Sequence, residues 1–140
     1  MKKTFVKVLT LALVAVMLVC TLASCGSAYS KIEKNFKDAG YTVKDVADDA
    51  TGKTISAAFE SMEISATVHV FNKDLNVAIV VEFDAKGDLD KAMESDTIKG
   101  LISDVQGSDI VRDECLLIPV TLNVLDINGQ LQSMVEIFNK

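Results

Sequence analysis

The stretch Ile64-Ser65-Ala66-Thr67-Val68-His69-Val70-Phe71-Asn72-Lys73-Asp74-Leu75-Asn76-Val77-Ala78-Ile79-Val80-Val81-Glu82-Phe83 decides how this chain folds. Ile64, Ala66, Val68 and Val70 alternate with Ser65, Thr67, His69 and Phe71; Leu75, Val77, Ile79, Val81 and Phe83 alternate with Asn76, Ala78, Val80 and Glu82. Successive side chains of an extended backbone point to opposite faces, so a period of two marks a strand with one face turned to a core. Two such runs joined by the polar Asn72-Lys73-Asp74 predict an antiparallel hairpin. His69, the only histidine, falls on the more polar face of its strand. With no second His or Cys at ligand spacing it reads as a sheet-face residue and not as a metal ligand.

Towards the N-terminus, Ile55, Ala57 and Phe59 alternate with Ser56, Ala58 and Glu60, predicting another strand. Ala47 to Lys53, with two Asp and a Gly, predicts a turn, and Tyr41 to Val46 a strand. Tyr29, Ile32, Phe36 and Ala39 form one stripe at helical spacing, predicting a helix over Tyr29 to Ala39 that Gly40 stops. Its start is set either by a Ser30–Glu33 capping box or by Ser27 as cap.

Towards the C-terminus, Asp84 to Asp90 superficially suggests a calcium loop. Gly87 is fourth from Asp84 and Ser95 stands at the twelfth position, where an EF-hand requires Gly at the sixth and Glu at the twelfth. A strand-to-helix turn capped by Asp88 accounts for the same residues. Leu89, Ala92 and Met93 then share one helical face, while Ile98, Leu101, Ile102 and Val105 share a nearly opposite one. One straight rod would bury both sides, so two short helices with a bend near Ser95-Asp96 are predicted. Gly107-Ser108 is a turn, Ile110-Val111-Arg112 a short strand, and Cys115 to Val120 a buried strand whose Pro119 favours a strand end or edge. Asn128-Gly129 admits a hairpin turn, but Leu131, Met134, Val135 and Phe138 recur at i, i+3, i+4, i+7, and a C-terminal helix from about Gly129 is preferred. Thr121 to Asn128 stay unassigned. Residues 29–140 therefore form one α+β domain: a mostly antiparallel sheet, an N-terminal helix, a bent middle helical pair and a C-terminal helix.

The first 25 residues are of a different kind. Lys2, Lys3 and Lys7 precede an uncharged run from Val8 to Leu22. As a helix that run would reach about 22 Å, short of the roughly 30 Å hydrocarbon core of a bilayer. This is the layout of a secretory signal. At its end Leu22-Ala23-Ser24-Cys25 matches, position by position, the lipobox of bacterial lipoprotein signals, and the sequence resembles that family over residues 1–25. The resemblance implies that residues 1–24 are cut away between Ser24 and Cys25 and that Cys25 receives diacylglycerol and often a further acyl chain. Two or three chains hold a protein stably on a membrane without spanning it. Cys25 to Ala28 is then a short tether, about 10 Å for Gly26-Ser27-Ala28 at full extension. The remainder, whose first helix runs into Gly40-Tyr41-Thr42-Val43, is similar to small lipoproteins of Gram-positive anaerobes, a likeness that carries no activity and no site residue. The implied location is the extracytoplasmic face of a cell membrane.

Composition narrows the function classes. Of 140 residues, 116 follow position 24, enough for one domain. All twenty acids lie beyond Cys25 but only eleven of the fourteen bases, a net charge of −9 that disfavours nucleic acid and anionic lipid head groups as partners. Cys20 lies in the signal and Cys25 at the lipidation site, so Cys115 has no disulfide partner; its apolar surroundings read as a small buried hydrophobe. A Cys115–His69 dyad is allowed by the composition, but one Cys and one His occurring together is weak evidence for it. No Gly-rich phosphate loop, Gly-x-Ser-x-Gly or His cluster occurs beyond Cys25. No catalytic residue, metal or cofactor is therefore assigned. The expectation is a non-catalytic binding or assembly module whose partner is an envelope protein or a small solute, with an envelope-maintenance role or a transporter accessory as alternatives.

Overall fold

A computed structural model describes residues 28–140. Its five strands are β1 (Thr42–Lys44), β2 (Ala66–Lys73), β3 (Asn76–Phe83), β4 (Val111–Arg112) and β5 (Cys115–Thr121). They form one antiparallel sheet in the order β1-β2-β3-β5-β4. Helix α1 covers residues 28–38, and α2 (Ala50–Ser61), α3 (Lys86–Met93), α4 (Asp96–Leu101) and α5 (Ile127–Phe138) follow. The domain is α+β.

The hairpin forms with Val70 opposite Ile79 and Phe71 opposite Ala78. Its turn is tighter than the spacing predicts. Lys73 pairs with Asn76, so only Asp74-Leu75 remain between the strands, and Leu75 lies in the turn instead of opening β3. Asp74 takes the left-handed conformation at φ 53°, one that aspartate tolerates better than most residues. Asp113, at φ 54°, plays the same part between β4 and β5.

Neither face of the sheet is open to water at its centre. Adjacent residues, which point opposite ways, are both fully buried: Val70 and Phe71, Ile79 and Val80, Leu117 and Ile118. Helix α1 lies over the His69–Phe71 face, with Tyr29 stacked on His69 (ring centroids 3.9 Å apart) and Phe36 stacked on Phe71 (5.4 Å). Helix α5 shares that face, where Gln130 bonds Asn76 and the Phe138 carbonyl accepts from Arg112. The other face takes α2. Gly52 sits so close to Val70 that a Cβ would lie 3.1 Å from its Cγ2, and Phe59 meets Phe83 edge-on at 5.6 Å. Each fully buried Phe or Ile stabilises the fold by about 1.5–3 kcal/mol, so the two-sided core dominates.

Residues 55–60, predicted as a strand, belong to α2. The Asp49 carboxylate caps the helix by accepting from the Gly52 N–H at 2.7 Å, and the buried Gly52, Ile55 and Phe59 follow at helical spacing. Ile55 and Phe59 fit both periods, which is why alternation misleads here. The predicted turn over Ala47–Lys53 is a 3₁₀ turn, Val46–Asp48, followed by the first turn of α2.

Gly40 ends α1 as predicted. It lies at φ 94°, the Tyr41 N–H donates to the Phe36 carbonyl, and the Gly40 N–H donates to that of Lys37. Ser30 lies inside α1, so the Ser30–Glu33 capping box does not form; Glu33 pairs instead with Lys37 at 2.9 Å. Ala28, assigned to the tether, is a buried helical residue. Ser27 as a cap, the lipidation and cleavage residues Cys25 and Ser24, and the signal over 1–24 lie outside the described residues.

The middle helices break as predicted, with Ser95 extended between α3 and α4. Asp88 is not the cap. Helix α3 starts after Ala85, and Asp88, in its first turn, accepts from the Ser65 N–H at 3.4 Å. The second helix stops at Leu101, and Ser103–Val105 is a 3₁₀ turn. The C-terminal helix starts at Ile127, so Asn128-Gly129 is its first turn and not a hairpin. A Cβ at Gly129 would meet the exposed Asp126 carboxylate, which would have to swing aside.

Pro119 stands at an edge although β5 is second from the end of the sheet. Strand β4 pairs only with Cys115 and Leu116. The Leu117 N–H points outward, to the Ile110 carbonyl at 2.8 Å. By the alternation of the ladder, the N–H that Pro119 lacks would also point outward, past the end of β4.

Candidate functional site

Two constellations bring polar chemistry together on the face shared by α1 and α5. The first holds the two reactive residue types. Half-buried His69 lies under the Tyr29 ring with Nε2 3.4 Å from Glu82 Oε1, and Cys115 stands opposite Glu82 in the β3–β5 register. His69 lies on β2 and Cys115 two strands away on β5. Glu82 lies between them in the sheet, so the dyad allowed by composition has no direct contact. Cys115 is only 3 % exposed. Burial, then Glu82, Asp113 and Glu114, push its thiol up to about 12, the reverse of what a nucleophilic thiolate requires. The Tyr29 hydroxyl is likewise raised, first by burial and then by Glu33. This cluster packs the start of α1 onto the sheet. No group of three or more His, Cys, Asp or Glu suited to hold a metal occurs among the described residues.

The second lies at the other end of α1, around the β2–β3 turn. Asn76 organises it. Its Nδ2 donates to Gln130 Oε1 at 2.7 Å and to the Tyr41 hydroxyl at 3.4 Å, and its Oδ1 accepts from Thr121 Oγ1 at 2.7 Å. One amide thus ties the hairpin to α5, to Tyr41 just past the glycine stop of α1, and to the end of β5. Beside it opens a cleft of about 520 Å³, lined by Ala39 and Tyr41, by Lys73 to Asn76, by Asn123, and by an α5 stripe that includes Gln130, Ser133 and Ile137.

The loop that contributes Asn123 to that cleft is the least expected surface of the domain. Leu122, Val124, Leu125 and Ile127 are all exposed, Leu125 to 94 %, and Leu75 is 51 % exposed beside them. The loop is nevertheless fixed. The Leu122 N–H donates to the Leu75 carbonyl, the Asn123 N–H to Thr121 Oγ1, the Leu125 N–H to Asn123 Oδ1, and the Asp126 N–H to the Asn123 carbonyl. Asparagine closing a turn with its own side chain is ordinary loop chemistry. Four aliphatic side chains held in water on one short loop are less usual.

The two ends of α1 separate these constellations. Tyr29 lies over His69, whereas the Ala39 carbonyl accepts from Lys73 Nζ at 2.7 Å. Eleven helical residues span roughly 16 Å. The start of α1 therefore lies over the middle of β2, and the apolar loop lies at the Lys73–Asn76 end of the hairpin. Sequence reasoning missed this surface because Thr121 to Asn128 fit neither period, although Leu122-Asn123-Val124-Leu125 between a strand and a helix was visible as an apolar run with no element to bury it.

No described helix is long and apolar enough to cross a membrane. No family model matches the chain, and neither a curated protein nor a solved structure matches it.

Proposed function

We propose that the protein is a lipid-anchored, non-catalytic binding or assembly module on the extracytoplasmic face of a cell membrane, with its contact surface at the end of the domain remote from the anchor. The lipobox Leu22-Ala23-Ser24-Cys25 supports the anchor. The observation that carries the rest is the opposition of the two ends of α1. With lipid on Cys25, three residues ahead of Ala28, the Tyr29–His69 end faces the membrane. Leu75, Leu122, Val124 and Leu125 face away from it, towards an envelope protein and not towards the bilayer that holds the anchor.

The test is site-specific photo-cross-linking in membranes of the producing cell, with the reactive side chain at position 125 or, as control, at the exposed Lys53 on α2. A single reproducible protein adduct from position 125 and none from position 53 is expected. Equal adducts from both positions, or none from position 125, would remove the reading. The cleft favours a second reading, a solute-binding accessory, because 520 Å³ lies within the range of small-molecule pockets. A stoichiometric small molecule on the purified protein would select it.

A further inference from the structure

Strand β2 is longer than the neighbour that covers its outer side. It pairs with β3 along its whole length, from Ala66 to Lys73, but with β1 only from Val70 to Asn72. Ala66 to His69 are therefore a free margin of the sheet, about 13 Å of extended chain. The alternation of the ladder fixes which main-chain groups face out there. The Asp84 N–H donates to the Ser65 carbonyl at 3.1 Å, while the Phe83 N–H turns away to the Glu114 carbonyl at 2.9 Å. Thr67 and His69, in step with Ser65, thus direct their N–H and C=O groups to β3, and Ala66 and Val68 direct theirs outward. Those outward groups have no hydrogen-bond partner among the described residues.

N–H and C=O groups repeated at strand spacing match the main chain of another extended segment, which adds to the sheet as a further strand. The surrounding side chains narrow that segment. Ala66 and Val68 share the α2 face with Val70 and are partly buried against the core, while Thr67 and His69 lie on the other face. An added strand therefore meets aliphatic and polar neighbours in alternation. Acids stand at both ends of the margin. Asp45 caps the 3₁₀ turn that leaves β1 and lies against β2, Asp48 is within that turn, and Glu60 and Glu63 precede Ser65. All four are exposed and have no ion-pair partner among the described residues, whereas the neighbouring Lys44 is held by Asp49 at 3.7 Å. The free hydrogen-bonding groups thus sit in a negative field.

We infer that the Ala66–His69 margin of β2 binds a basic extended segment of a partner polypeptide, which pairs with the main chain of Ala66 and Val68 in line with β1. Aliphatic side chains of the segment lie beside Ala66 and Val68, and Lys or Arg side chains reach the acids at its ends. A second copy of this chain would bring the same acids to the same margin, so like charge disfavours it. The margin lies at the other end of β2 from Leu75 and its apolar neighbours, and is a contact surface beyond the one proposed above.

The experiment uses the full chain in detergent micelles, a random-dodecapeptide library displayed on phage, and amide hydrogen exchange read by NMR with a selected peptide bound. Enriched peptides should carry Lys or Arg alternating with aliphatic residues. Binding should slow exchange at Ala66 and Val68 at least about tenfold and leave Thr67 and His69, already in the β2–β3 ladder, unchanged. Ala66→Pro removes one outward N–H at the first residue of β2, a position where proline is tolerated, and should weaken binding at least about tenfold. Asp48→Lys, on an exposed side chain, leaves the strand untouched and should weaken it as well. No enriched basic peptide, protection at other amides alone, or equal binding to Asp48→Lys and the unaltered chain would overturn the inference. So would self-association of the unaltered chain that protects Ala66 and Val68, since a second copy would then hold the margin. Cross-linking from position 125 reads a different surface, so the two proposals stand or fall separately.

Discussion

The main-chain N–H of Leu122 donates to the carbonyl of Leu75 at 2.9 Å. This bond joins the β5–α5 loop to the β2–β3 turn, so two exposed leucines far apart in sequence belong to one surface. The side chain of Leu125, the most exposed of the set, has no part in that scaffold. Leu125→Ser is therefore expected to leave stability within about 0.5 kcal/mol of the unaltered protein. A thermal or urea melt checks that half, and at least about tenfold weaker partner capture from membranes checks the other. A large loss of stability would show that the loop is core and not contact surface.

The proposed lipid anchor has a direct test. In Cys25→Ser the acceptor thiol is gone, so incorporation of labelled palmitate should fall to background and the protein should remain uncleaved or be released. Labelling at the unaltered level would refute the anchor.

The end of α2 allows a stabilising substitution. Glu63 sits at φ 56°, where the Ile64 N–H reaches back to the Phe59 carbonyl and the Glu63 N–H to that of Glu60. This helix stop is normally built on glycine, which has no Cβ to crowd the left-handed backbone. Glu63→Gly should raise the unfolding free energy by about 0.5–1 kcal/mol, read from the urea midpoint. No gain, or a loss, would mean that the glutamate side chain contributes more than its backbone costs.

Cys115 sets part of the alkaline limit. Its thiol is raised from 9.0 to about 12 in the fold, so the unfolded chain loses this proton first. The stabilisation is fully present below about pH 9 and falls by up to roughly 1.4 kcal/mol per pH unit above it, until the folded thiol ionises near 12. Tyr29 and Tyr41, both raised from 10.0 chiefly by burial, add their own losses only at higher pH. Cys115→Ala should cost about 1–2 kcal/mol at neutral pH and flatten the stability profile between pH 9 and 10. Iodoacetamide should label the native thiol only at the rate of unfolding; rapid labelling would contradict its burial.

A flexible spacer separates the two readings of function. With about twenty Gly/Ser residues inserted between Ser27 and Ala28, ahead of the first buried helical residue, the domain should remain folded and lipidated. Function that depends on a membrane protein at a fixed height should fall, because the spacer lowers the effective concentration at the contact site. Uptake of a free solute should be unchanged, and a growth or binding assay in the producing cell distinguishes the outcomes.

Strong periods made most of the fold legible. The hairpin, the α1 stripe with its glycine stop, the bend at Ser95 and the C-terminal helix each follow from spacing that a single element satisfies. Helix α2 was hidden because Ile55 and Phe59 fit two periods and because Glu63, not a glycine, ends it. The hairpin turn was read one residue too long because Asn72 and Lys73 look like loop residues, yet both keep partners in the ladder, Val77 and Asn76. The candidate site was the least legible part. Asn76, Gln130 and Thr121 lie far apart in sequence and meet only through the register of β3 with β5 and the path of α5.

Pro119 bears on how copies of this protein coexist. A surface on which molecules are confined to a plane multiplies weak self-association, and a bare strand edge is the commonest route to it. Here one margin of the sheet is β1, only three residues long, and the other is the upper part of β5, where Pro119 removes the outward N–H that an incoming strand would need. On the β1 side, Ala66–His69 of β2 extend past that short strand, so the margin there is shortened and not closed. A short β1 and the missing N–H of Pro119 thus limit the edge on which a second copy could pair.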